Sequence, residues 1–410
     1  TPAGGDAMRR WVKVVVVVSA ALLLLVVAVG LWLWHSLTAS LPQLEGDVVV
    51  AGIGAPVVVE RDALGVPPIR GGSRPDVARA LGFLHAQERF FQMDLLRRQG
   101  AGELSELFGP AALEADRAAR LHRFRHRAGR ALEALPDRHR RVLDAYVAGV
   151  NAGLVALGAA PFEYLLLRTT PEPWRPEDSI LVLAAMYFTL NDSTGEYESA
   201  RGVAAEVLDP GLLAFLAPAG TSWDAPLDGG VVETPRMPES ADLGPVSESL
   251  ADVDDDPPVA AVGSNNWAVA GSRTADGRAI VANDMHLPLG VPNTWYRARL
   301  VWPGGDGCGG AHDIVGVTLA GSPAVVAGST TRVAWGFTNS YGDWSDLVIL
   351  ESEGDRYLTP DGPRPFDLVA ETIVVRGSEP VEFEIRSTIW GPVIDEDHLG
   401  RPRALRWVAH

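Results

Sequence analysis

Apolar residues run from Val14 to Trp34 with only Ser19 and Gly30 interrupting them. Such a stretch is about long enough to cross a hydrocarbon core, and predicts a transmembrane helix over residues 14–34. Residues 47–60 form a short β-rich pattern, after which RDALGVPPI turns the chain through Gly65, Pro67 and Pro68. In residues 76–91 the apolar positions Val77, Ala80, Leu81, Leu84 and Phe91 recur mostly at three- and four-residue intervals, with Arg79, Glu88 and Arg89 between them. That spacing predicts an amphipathic helix. Further helices are predicted over 112–134, 137–157 and 176–188, the last two announced by proline near the first turn. Between about 235 and 261 the chain turns to proline, serine and acid, ending in ADVDDDPPVAAV, which cannot bury enough apolar surface to fold alone. Beyond it the period becomes two. NWAVAG, RAIVAND, DIVGVTL, RVAWGFT, DLVILE, ETIVVRG and VEFEIRS read as strands divided by Gly, Asp and Pro turns. A helical half, a linker and a strand-rich half predict an α+β protein.

Composition narrows this picture. With 410 residues, 47% hydrophobic and 21% charged, the chain can bury a large core and divide into two or three folding units. A net charge of −17 argues against nucleic acid as partner, because phosphate binding needs clustered cations. Lys13 is the only lysine. The single cysteine, Cys308, excludes an intrachain disulfide, and its setting in GGDGCGG reads as a loop thiol. Arg9, Arg10 and Lys13 precede the apolar run, which puts residues 1–13 in the cytoplasm and the bulk of the chain outside. The alternative is a signal peptide cut near LTAS, leaving a secreted or periplasmic protein; the length of the run favours a retained anchor. Met8 reads as a candidate start.

The linker ends at Gly263-Ser264-Asn265-Asn266-Trp267, just before a predicted core strand. A serine hydroxyl needs a base, and a free α-amine, with a pKa of about 7.7–8.0, suits that task near neutral pH. Ser264 has no such amine until the Gly263–Ser264 bond breaks, so scission would create the base. Taken alone, a serine opening a strand after a loop is commonly just a turn residue.

Three stretches in order change the weighting. RDALGVPPIRGGSRPDVARALGFLHAQERFFQMDLLRRQGAGELSELFG, GSNNWAVAGSRTADGRAIVANDMHL and WGFTNSYGDWSDL resemble the α-chain opening, the spacer–β junction and the oxyanion and metal segment of the penicillin acylase family of N-terminal-nucleophile hydrolases. The resemblance implies a four-layered αββα sandwich, here incomplete at its C-terminal side. It also implies an α-chain region over 41–235, a spacer over 236–263, and the first part of a catalytic β chain over 264–410, with the α and β chains staying associated after processing. By the same resemblance Ser264 is the nucleophile, Gly263–Ser264 the processing bond, and His286 a partner of the freed amine, the plain alternative being a strand-end histidine in the core. The backbone N–H of Asn339 becomes an oxyanion donor; the family's second donor, an asparagine side chain, would lie beyond His410. Glu196, Asp343, Asp346 and the carbonyl of Ser345 match a structural calcium site, against a solvated acidic turn as the alternative. No organic cofactor is implied. Met186, Leu190, Leu287, Ala327 and Phe337 match acyl-pocket positions. Leucine at 287 and alanine at 327 replace bulky aromatics and imply an aliphatic rather than a phenylacetyl group. Pro68 departs from the family, standing where a histidine is usual.

The expected activity is therefore hydrolysis of a small N-acyl amide such as a β-lactam side chain or an acyl-homoserine lactone. A conventional serine hydrolase using Ser264, His286 and an acid is weaker, since no GxSxG elbow is present. The remaining alternative is a membrane-anchored binding or scaffold protein that keeps the fold without processing.

Overall fold

The computed structural model describes residues 3–237, 239, 263–304, 310–330, 332–339 and 342–410; most of the expected spacer, and Cys308, lie outside them. The chain divides into two compact units, one of residues 1–97, 128–182 and 289–335, the other of residues 98–127, 183–288 and 336–410.

The first unit opens on the helix Ala3–Ala39. Its apolar part, Trp11–Ala39, is long and apolar enough to cross a membrane, and its most apolar window is exposed among the described residues, though a signal sequence passes the same test. The carbonyl of Ala39 accepts from the Ala159 N–H at 3.1 Å, tying the end of the helix to this unit. Of the β-rich pattern over 47–60 only Val58–Val59 is a strand, because its partner Pro68–Arg70 is itself three residues long. Asp62 makes the turn between them, its carboxylate accepting from the N–H groups of Leu64 and Val66. Pro68–Arg70 then runs parallel to Trp295–Trp302, and His312–Leu319, Val325–Ser329 and Ala334–Trp335 continue a six-stranded sheet by antiparallel pairing.

The helix Arg74–Ala101 extends well beyond the predicted 76–91. It crosses Asp137–Ala156 on glycines: a Cβ on Gly149 would sit 1.9 Å from the Arg79 carbonyl oxygen, and one on Gly153 2.4 Å from that of Phe83. Neither position accepts a side chain at this spacing. Ile69, Leu81, Phe90, Met93, Tyr146, Tyr164, Trp174, Leu181 and Leu319 form the core of this unit, each almost fully buried. Two polar networks lie within it. Arg97 is buried between Asp94 and Asp178, each at 2.7 Å, and Asp94 also accepts from the Tyr164 hydroxyl. His85 bridges Tyr146 and Thr318 at 2.7 and 3.1 Å. The Thr318 hydroxyl donates to the Tyr296 carbonyl, so it accepts from His85 Nε2–H; Nδ1 then accepts from the Tyr146 hydroxyl, whose oxygen accepts from Gly321 N–H at 3.0 Å. One neutral tautomer satisfies every member. Burial, and to a lesser degree the Arg89 charge, pushes the His85 pKa down to about 3.

In the second unit the single helix expected over 112–134 is broken into Leu113–Leu121 and Phe124–Glu133. Arg123 takes a positive φ of 52°, which turns His122 and Phe124 into a cluster with Phe188 and Trp407. Tertiary packing outweighs helical propensity there. The helix Pro176–Leu190 runs two residues past its predicted end. Antiparallel pairs dominate the rest: Ser264–Val269 with Ile280–Met285, Asp367–Ile373 with Val381–Ser387, a ladder of Arg356–Thr359 with its neighbours, and Pro402–Trp407 between Val393–Glu396 and Ser345–Ile349. Leu350, Tyr357, Phe366 and Ala404 are buried together, with Val348, Trp390 and Val393 against them. The fold is mixed α+β, as its period switch predicts.

Candidate active site

The site is assembled on the hairpin Ser264–Val269/Ile280–Met285. Its strands are joined by residues 270–279, which contain the 3-10 turn Gly271–Arg273 and an Asp276-Gly277 turn with Gly277 at φ +76° and the Arg278 N–H on the Asp276 carboxylate. Ser264 then faces Met285, Asn265 faces Asp284 and Asn266 faces Asn283. One step beyond the strand, the His286 N–H donates to the carbonyl of Gly263 at 3.0 Å. The expected scissile bond and the expected histidine are thus direct neighbours.

The His286 imidazole is 43% exposed. Its Nε2 lies 3.0 Å from Asp284 Oδ2 and 3.1 Å from the Asn265 side-chain amide. A Cβ built on Gly263 would fall 3.4 Å from Nδ1, so the other ring nitrogen faces the glycine.

Asn283 fastens the segment expected to carry the oxyanion donor to this hairpin. Its Oδ1 accepts from Phe337 N–H at 3.1 Å, and its Nδ2 donates to the Phe337 carbonyl at 2.8 Å and to that of Asn265 at 3.2 Å. The strand predicted in RVAWGFT accordingly stops at Trp335, and Phe337 pairs with a side chain instead of a neighbouring strand. A Cβ at Gly336 would sit 2.7 Å from Asn283 Oδ1, so the close approach needs glycine there. Asn339 donates its side-chain amide to the Leu190 carbonyl at 3.0 Å, occupying one of the orphan acceptors at the end of Pro176–Leu190. That segment is thereby held at both ends within this unit.

Among the expected pocket residues, Met186, Leu190 and Leu287 are half-buried and Phe337 is 60% exposed, all in the second unit. Ala327 lies in the first unit, on the strand Val325–Ser329.

The acidic candidates lie between Glu196–Val207 and Ser345–Ile349. Asp192 accepts from Thr194, Gly195 and Tyr197 N–H groups; burial works to raise its pKa, but these backbone donors outweigh it and hold the carboxyl below its ordinary range. Glu198 is pushed up, first by burial and then by the charges of Asp343, Asp346 and Asp192, with Arg201 opposing. Glu198, two residues beyond the expected Glu196, thus feels the charges of Asp343 and Asp346. These hard oxygen donors suit Ca2+ chemically, yet among the described residues no group of three or more His, Cys, Asp or Glu side chains is arranged to hold a metal ion.

Asn283, Asp284 and Glu198 contact or sense the expected site residues and their neighbours, though sequence reasoning did not single them out. The first two had a legible signal, as consecutive polar residues ending the apolar run RAIVA. Glu198 had none, since only folding brings it to Asp343.

A family model described as penicillin amidase matches residues 56–410. Acyl-homoserine lactone acylase QuiP of Pseudomonas aeruginosa is 33% identical over 374 residues, covering 89% of this chain and 43% of its own length. Penicillin acylase 2 proenzyme of a Pseudomonas species is 35% identical over 372 residues, covering 89% of this chain and 47% of its own. A solved thermostable penicillin G acylase from Alcaligenes faecalis, in tetragonal form, aligns at 25% identity and a TM-score of 0.36 over 42% of this chain and 98% of the solved one. The chain spans less than half the length of these two Pseudomonas relatives. With the match running from residue 56 to 410, through the hairpin of Ser264 and the segment of Asn339, the chain belongs to the penicillin amidase family.

Proposed function

We propose that this chain is the precursor part of an amidase that cuts itself at Gly263–Ser264 and then hydrolyses small N-acyl amides. The observation that carries the reading is the placement of Ser264 at the first position of a paired strand, with the carbonyl of the preceding glycine hydrogen-bonded to His286 N–H. The freed α-amine of Ser264 takes the hydroxyl proton, Oγ attacks the acyl carbon, and the Asn339 N–H stabilises the developing oxyanion beside a second donor outside residues 1–410. Water then releases the acyl-enzyme. His286, next after the Met285 that faces Ser264, is assigned the orienting of the freed amine.

An N-acyl substrate is supported by the names of the relatives, an acyl-homoserine lactone acylase and a penicillin acylase, and processing by the word proenzyme in the second. Leu287, where the family resemblance expects a bulky aromatic, supports an aliphatic acyl group over phenylacetyl. The complete fold is proposed as the four-layered αββα sandwich; Trp267, Ile280 and Phe337, all more than half exposed on or beside the hairpin, support a further layer against it. Calcium is proposed as a structural ion near Glu198, Asp343, Ser345 and Asp346, with Glu196 at the same helix start; it supplies counter-charge and takes no part in the reaction. The apolar helix supports an anchor with residues 1–13 on the cytoplasmic side and the remainder outside, with the α and β chains held together after the cut.

Intact mass and N-terminal sequencing of the full-length product test the reading. Two chains, one beginning at Ser264, are expected, together with hydrolysis of medium-chain acyl amides faster than phenylacetyl amides. A single uncut chain that binds but does not turn over amides would identify the scaffold alternative instead.

A further inference from the structure

Exposed apolar side chains scattered singly over a protein need no explanation. In the first unit several of them gather around one point, the place where the long apolar helix ends. The Ala39 carbonyl accepts from Ala159 N–H at 3.1 Å, and the Gln43 N–H then donates to the side-chain oxygen of Gln87 at 3.1 Å. Gln87 is itself buried on the helix Arg74–Ala101. The apolar helix is therefore joined to this unit without a slack linker.

Ala159 lies in LVALGAAPFEYLLL, residues 154–167, whose only charged side chain is Glu163. Val155, in the last turn of Asp137–Ala156, is 83% exposed. Phe162 and Leu166 are four residues apart on the helix Phe162–Leu167 and share a face. Tyr164, midway between them, is buried with its hydroxyl on Asp94, so the face of Phe162 and Leu166 points outward, and Leu166 is 74% exposed. Leu41 and Leu44, just past Ala39, are exposed as well.

Helix geometry sets the depth. Trp11 stands before the apolar run and Trp32 and Trp34 close it, as aromatic residues do at the two membrane–water interfaces. At about 1.5 Å per residue the two ends lie about 30–35 Å apart, close to the thickness of a hydrocarbon core. Ala39 follows Trp34 by five residues, about 7 Å on the same rise. The headgroup layer on each side is about 5–7 Å deep. Ala39, and with it Ala159, falls at the headgroups.

We infer that Val155, Phe162 and Leu166, with Leu41 and Leu44, form a lipid-docking face that seats the first unit in the outer headgroup layer around the end of its helix. The inference rests on the retained-anchor reading above. Continuity with the membrane helix selects a lipid surface as the occupant, because the same hydrogen bond that ends the helix holds LVALGAAPFEYLLL at headgroup depth. Apolar side chains placed there leave water by entering the boundary between headgroups and acyl chains.

The test uses the complete full-length protein with its native cysteines replaced, Cys308→Ser among them, and one new thiol at Val155→Cys, Leu166→Cys or Trp32→Cys. Each is labelled with a fluorescent maleimide and reconstituted in phosphatidylcholine vesicles, with or without lipids that carry a nitroxide on the headgroup or on the acyl chain. Labels at 155 and 166 should lose most of their emission to the headgroup nitroxide, and the label at 32 should lose more to the acyl-chain one. If the labels at 155 and 166 keep their emission while the label at 32 is quenched, the docking face is overturned and the anchor stands. Thiols at 155 and 166 that refuse the maleimide in the folded protein are covered by protein instead of lipid, which overturns it equally. A label at 32 that no lipid quenches, or release of the protein by alkaline carbonate, overturns the anchor reading itself. Should Leu166→Cys misfold, Phe162→Cys reads the same helix face.

Discussion

Replacing Tyr146 by phenylalanine keeps the buried ring and deletes one oxygen, but that oxygen has two partners. The hydroxyl donates to His85 Nδ1 at 2.7 Å and accepts from Gly321 N–H at 3.0 Å, and Tyr146 and His85 are fully buried. Without it a ring acceptor and a backbone donor are both orphaned away from water. Each such group costs about 1–3 kcal/mol, so the loss should be about 2–4 kcal/mol once partial relaxation is allowed. No relief of charge offsets this, because burial pushes the Tyr146 phenol well above its ordinary pKa and keeps it neutral. Nor can His85 escape by protonating, with its pKa down at about 3. Urea denaturation in detergent should read the loss, and amide exchange should report the local event, with Gly321 losing protection before the neighbouring strand His312–Leu319 does. A Tyr146→Phe protein within about 0.5 kcal/mol of wild type, with Gly321 still protected, would refute the assigned hydrogen-bond directions, since surface-like neutrality is expected only where no buried partner is lost.

Four further outcomes follow from the same geometry. Arg97→Met removes the guanidinium buried between Asp94 and Asp178 and should cost about 3–5 kcal/mol in the same denaturation assay. Asn283→Ala frees Phe337, and with it the segment bearing the Asn339 N–H, and should lower kcat of the mature enzyme on the order of 100-fold with KM little changed; a change confined to KM would contradict the assigned role. Calcium should raise the melting temperature and a chelator lower it, by an amount equivalent to about 2.7 kcal/mol at a hundred times the dissociation constant, and Asp343→Asn with Asp346→Asn should remove the response. Stability should also fall with acid. His85 and His122 are each depressed to about 3, the latter by burial and then by His410 and Arg127, so below about pH 6.5 the unfolded chain takes up protons that the folded chain refuses. Their contribution is complete above that pH and is lost as pH drops toward 3, at about 1.4 kcal/mol per unit per group; His122→Phe should make the measured slope shallower.

Local chemistry made several features readable before folding. The apolar run after Lys13, broken only by Ser19 and Gly30, predicted a helix, and the helix Ala3–Ala39 contains it. The alternating stretches NWAVAG and RAIVAND predicted strands, and Ser264–Val269 and Ile280–Met285 are those strands. These are matters of backbone period and turn stereochemistry, which a few neighbouring residues decide. The contacts that give the site its chemistry are of another kind. Nothing local foretells that Asn283 clamps Phe337 fifty-four residues away, that Glu198 senses Asp343, or that Arg123 adopts a positive φ so that His122 can reach Phe188 and Trp407. Each depends on which buried group finds a partner once distant segments meet, and the cost of leaving a polar group unpaired in the interior selects the answer only when the whole surrounding is present.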